Sequence, residues 1–109
     1  MATTYKVLGQ NNPTANTLTT LYTVPVGANT VVSTIAICNI DANTATFRVA
    51  VRPSGEAIAN KHYLNYNTAL PGNDTITATI GLTLSANDVV SVNASSSFIA
   101  FSLFGSEII

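Results

Sequence analysis

Apolar residues in this chain alternate with polar ones in short runs that end at Gly, Pro, Asn or Asp, and nowhere do they hold a helical period. That pattern constrains the fold more than any other feature, because a period of two places side chains on alternate faces of a strand. Residues 45–52 put Phe47, Val49 and Val51 on one parity and Thr46, Arg48, Ala50 and Arg52 on the other, and Pro53-Ser54-Gly55 closes the run. Residues 75–84 repeat the pattern, with Ile76, Ala78, Ile80, Leu82 and Leu84 set against Thr75, Thr77, Thr79 and Thr83. Gly81 within that run is expected to mark a bulge or kink, since it offers no side chain to pack.

Further strands are predicted near residues 5–8, 19–24, 30–40, 62–67, 89–92 and 98–104, each rich in Val, Ile, Thr, Phe or Tyr. Pro25 should end the second of these, because it lacks the N–H that a ladder needs. Segment 30–40 carries Val32, Ala36, Cys38 and Ile40 on one parity and Val31, Ile35 and Ile37 on the other. Apolar residues on both faces predict a central strand, or one covered by a neighbouring subunit. In 62–67, Tyr63 and Asn65 are predicted to face away from His62, Leu64 and Tyr66; residues 56–61 read as a loop or a short helical turn. About eight strands, with turns roughly every 8–15 residues, make a single antiparallel β-sandwich over residues 1–109, of jelly-roll or Ig-like type. The polar stretch 10–17 reads as an exposed arm or a long loop, and Ile108-Ile109 as an apolar end docked on its own domain.

Only 8% of the residues are charged, where about 25% is usual, and 47% are hydrophobic. A surface made of Thr, Asn, Ser and Ala is cheap to desolvate, which suits packing against protein. The net charge is −1, and Lys6, Arg48, Arg52 and Lys61 form no basic stripe, so nucleic acid is not an expected partner. No apolar run approaches the ~20 residues of a membrane span. Met1-Ala2-Thr3-Thr4 shows no basic region leading into an apolar core, so synthesis and folding in a cytoplasm are expected.

Chemistry is hard to build from these residues. The single histidine, His62, would have to serve any triad, and catalysis also needs a nucleophile and an orienting group. A surface or partly packed role is expected for it. Cys38 and His62 lack ligand-pair spacing, so no metal or cofactor is expected. Asp41, Asp74 and Asp88 each fall in a turn, where Asp commonly bonds nearby backbone N–H groups. No catalytic residue is therefore assigned. The residues singled out for contact with a partner are six. Arg48 and Arg52 share a strand face at roughly 13 Å and suit a charged interface contact. Tyr63 and Tyr66 are candidates for presentation to a partner or a sugar, and Ile35 and Ile37 for an interface or the core.

Several phrases carry a resemblance along nearly the whole chain. They are Tyr5-Lys6-Val7-Leu8-Gly9-Gln10, Leu21-Tyr22-Thr23-Val24-Pro25, Val32-Ser33-Thr34-Ile35 with Cys38-Asn39, Thr46-Phe47-Arg48-Val49-Ala50-Val51-Arg52-Pro53 and Phe104-Gly105-Ser106-Glu107-Ile108. Together they resemble a group of small virion proteins of tailed bacteriophages, including cyanophages. The resemblance implies a structural protein of the particle. Its first expectation is a capsid decoration, or cement, protein: a homotrimer seated over junctions of the major capsid protein. A tail or baseplate sandwich among neighbouring tail proteins is the alternative, and a carbohydrate-binding tail-fibre module a third.

Overall fold

The computed structural model describes residues 2–109. Its strands are β1 (Thr3–Asn11), β2 (Thr19–Thr23), β3 (Asn29–Asn39), β4 (Ala45–Arg52), β5 (Tyr63–Leu70), β6 (Thr75–Leu84), β7 (Val89–Ala94) and β8 (Ile99–Ile108). They form two four-stranded antiparallel sheets, ordered β1-β8-β3-β6 and β2-β7-β4-β5. Strand β1 pairs with β8, β2 with β7, β3 with β6 and β4 with β5. That is one long hairpin folded at β4–β5 and rolled over itself, the jelly-roll order; the Ig-like alternative is thereby excluded.

The core lies between the sheets. Phe47 and Phe101 meet edge to face at its centre, 6.4 Å between ring centroids, among the fully buried Ile37, Leu70, Ile99 and Leu103. Ile35 and Ile37 are each 2% exposed and belong to this core, so their assignment to an interface is withdrawn. The apolar two-facedness of β3 has a local cause. The register slips between Val32 and Thr34 against both neighbours: against β8 the extra residue is Ser33, and against β6 it lies on β6, where Ile80 and Gly81 stand opposite Ser33. Val32 therefore points inward on one parity, and Ile35 and Ile37 point inward on the other. A matching bulge at Leu8 in β1 flanks β8 from the other side. Between the two bulges Gly105 is obligatory: a Cβ there would sit 2.1 Å from the Val31 carbonyl oxygen and 3.1 Å from Leu8 Cδ1.

Gly81 has φ +56°, and the β3–β6 register shifts beside it, so the expected kink is present. Strand β6 forms an edge of the first sheet, and it carries no proline and no charge. The stretch 10–17 is a packed connection and not an arm. Gln10 and Asn11 belong to β1, Asn12 Nδ2 donates to the carbonyls of Ser97 and Ile99, Pro13 is buried, and Asn16 N–H donates to Ala94 O at 2.7 Å. Ile109 exchanges backbone hydrogen bonds with Ala2, so that end docks on its own domain.

Candidate functional site

The two sheets present very different outer faces. On the first sheet, β1 contributes Tyr5 and Val7, β8 contributes Phe104, Ser102 and Ala100, β3 contributes Val31, Ala36 and Cys38, and β6 contributes a row of threonines. Tyr5 is 84% exposed, and Val7, Val31 and, at one end, Ile40 and Phe98 are also open. Lys6 and Glu107 are the only charged residues within these strands, and both turn toward the opposite sheet. The outer face is consequently uncharged. A shallow, mostly apolar groove crosses it between Tyr5, Val31 and Phe104, with Lys6 also in its lining.

Lys6 and Glu107 belong to a network that ties the sheets together at one end of the core. Lys6 Nζ lies 3.1 Å from Glu107 Oε1, and the Tyr22 hydroxyl donates to Glu107 Oε2 at 2.6 Å. Thr30 Oγ1, fully buried, lies 2.8 Å from the Tyr22 oxygen. With the phenolic proton committed to Glu107, Thr30 is the donor in that contact. Burial, then the bond to Glu107, pushes the Tyr22 phenol up to about 12. The same bond, then that from Lys6, holds the Glu107 carboxyl below the usual carboxylate range. Both shifts deepen the resting protonation states, which is the opposite of what a proton-transferring pair requires.

His62 is 4% exposed and lies in a 3-10 turn (Asn60–His62) just before β5, not within the strand. Its Nδ1 accepts from Ala59 N–H at 3.0 Å, which puts the proton of the neutral ring on Nε2, 3.3 Å from Glu56 Oε1. Glu56 also meets Lys61 Nζ at 3.5 Å. The bond from His62, then the charge of Lys61, holds the Glu56 carboxyl low. The histidine thus fastens the loop between β4 and β5. The three turn aspartates bond backbone as the sequence leads one to expect: Asp41 to Ala42, Asp74 to Thr75, and Asp88 to both Ser54 and Ser85. Among the described residues, no three of His, Cys, Asp and Glu gather in a metal-holding group, and no helix is long and apolar enough to cross a membrane.

The outer face of the second sheet holds four of the six residues singled out from sequence. Arg52 is spent internally: Nε donates to Ser91 Oγ, and Nη1 donates to the carbonyls of Gly55 and Glu56. Arg48 stacks over the Tyr66 ring at 4.0 Å, and its Nε donates to Asn67 Oδ1 at 2.8 Å. Tyr63 and Tyr66 meet edge to face at 4.9 Å. Their expected placement on opposite faces is corrected. Two residues of β5, Tyr66 and Asn67, stand opposite Arg48 alone, and Leu64 is a second extra residue, so both rings emerge on one face. Asn67, at φ +50°, adopts the left-handed geometry of that bulge. Asparagine tolerates such geometry, and this was the one signal of the bulge in the sequence. Beside Arg48 lies a polar cleft of about 190 Å³, lined by Asn16, Thr46, Asn67, Asn93 and Ser95, which sequence reasoning missed because its residues come from four separate segments.

Compared with known proteins, the chain matches no protein-family model and no curated protein.

Proposed function

We propose that this chain is a structural subunit of a tailed-phage particle that works by packing and not by catalysis, specifically a cement protein bound to the major capsid lattice as a homotrimer. The observation that carries the reading is the uncharged, partly apolar outer face of the β1-β8-β3-β6 sheet. Four strands at ~4.8 Å spacing and about ten residues at ~3.3 Å rise cover on the order of 600 Å² of plane. That is comparable to the ~800 Å² per partner of a stable interface. Hydroxyl and methyl groups across the threonine row lose little when water leaves, while Tyr5, Val7 and Val31 gain. The jelly roll itself recurs in viral capsid domains, which is an argument from fold analogy alone. A protein that binds only the assembled lattice stabilises it by mass action, and three linked copies add avidity.

The test is binding of purified, tagged protein to phage particles, located by gold labelling in the electron microscope, with Val31→Asp as the disarmed variant. Label spread over the head, lost with the variant, supports the cement role. Label confined to the tail replaces it with the tail or baseplate role, and no label on any particle sinks both.

A further inference from the structure

We propose that the cleft around Arg48, on the face of the second sheet, binds an acidic saccharide. The cleft and the proposed packing surface lie on opposite outer faces, so this inference stands or falls separately from that reading.

Arg48 is the central observation. Its Nε is committed to Asn67 and its plane rests on Tyr66, so the guanidinium is held in one orientation. Neither Nη atom has a hydrogen-bond partner among the described residues, and no carboxylate lies within ion-pair distance of it. The two nearest acids along the chain are otherwise engaged: Asp41 accepts from Ala42 N–H, and Glu56 pairs with Lys61 and His62. A fixed guanidinium with two free N–H edges and no resident anion suits a planar carboxylate from outside.

The walls specify the rest of the ligand. Asn16 and Asn93 each bring amide donors and an acceptor, Asn67, whose oxygen accepts from Arg48, brings its amide donors, and Thr46 and Ser95 bring hydroxyls. Such a lining complements the paired hydroxyls of a sugar ring. Beyond Arg48, a second depression of about 340 Å³ is formed by Tyr63, Tyr66 and Asn60, an aromatic surface for the C–H faces of an adjoining ring. The stacked pair of Arg48 and Tyr66 links the two, with Arg48 lining the cleft and Tyr66 the second depression. The lining is also fixed before any ligand arrives. Asn16 and Asn67 are both held in left-handed geometry, at φ 57° and 50°, and Thr46 and Ser95 bond each other's backbone at 2.9 Å. A nucleic acid fits less well, because Arg48 as the one free cation among the described residues of the cleft gives little purchase on a run of phosphates.

The experiment is a ¹H–¹⁵N titration of the full chain with trigalacturonate, sialyllactose and an alginate trimer at millimolar concentration, with maltotriose as the neutral probe. The expected result is saturable shifts of the Asn67 and Asn93 side-chain amides and of Arg48 Nε–H with at least one acidic probe. Maltotriose should bind about ten-fold more weakly or not at all. Arg48→Gln should weaken the acidic probe about ten-fold while leaving resonances outside the cleft in place, and Lys61→Gln should change nothing. No saturation with any of the three acidic probes overturns the proposal. So does equal affinity for maltotriose, or undiminished binding by Arg48→Gln.

Discussion

The most informative single residue is Tyr22, whose hydroxyl joins one sheet to the other through Glu107 and Thr30. Tyr22→Phe removes the charge-assisted bond to Glu107, which keeps Lys6, and strands the buried Thr30 hydroxyl, so it should cost about 2–4 kcal/mol in a denaturant melt. The Glu107 carboxyl, followed by NMR titration, should then rise toward its usual range. The network also sets the pH window of the fold. Glu107 has a lowered folded value, so its contribution is present above the unfolded value of 4.5 and is lost as pH falls through the folded one. Tyr22 has a raised folded value, so its contribution is complete below pH 10.0 and is lost as pH climbs toward about 12. Thermal melts across pH should therefore show decline at both ends, and Tyr22→Phe should flatten the alkaline one. Asn39 is a second such residue, 1% exposed: it donates to the carbonyls of Asn43 and Leu70 and accepts from Asp41 N–H. Asn39→Ala would strand these groups and should cost about 2–4 kcal/mol in the same melt.

At the scale of elements, alternation was enough to place every strand, and it misassigned faces in β3 and β5, where an extra residue went unread. Segment 75–84 was readable because Gly81 announces its own kink. The bulge at Ser33 has no such marker, so Val32 was grouped with Ala36 and Cys38 although it shares the inward face with Ile35 and Ile37; β3 is apolar on both faces and lies inside its sheet as expected. The same failure split Tyr63 from Tyr66 and hid the aromatic wall beside Arg48. Strand neighbours across the sheets were beyond reach too, because β1–β8 and β3–β6 contacts join residues far apart in sequence. That is also why the polar cleft could not be assembled from sequence while Arg48 could be named. The paired bulges flanking β8 give a direct check. Gly105→Ala would drive a methyl into the Val31 carbonyl and should destabilise by at least about 2 kcal/mol, read from the urea midpoint.

For the whole molecule, the core and the outer faces should respond to substitution in opposite ways. Phe101→Ala opens a cavity at the centre of the roll and should cost about 3–5 kcal/mol, without any specific effect on binding. Val31→Asp, on the open face, should cost only about 1 kcal/mol in the melt, the range of strand propensity. The bare edge of β6 carries one more consequence, for supply. A ten-residue strand with one backbone edge unpaired and neither proline nor charge is a template on which another chain can be laid. A cell making this chain in excess would be stocking a ribbon-former. Concentrated stocks of the pure chain should thicken into strand-rich aggregates on storage, and Thr79→Lys should keep them clear, as followed by light scattering over days.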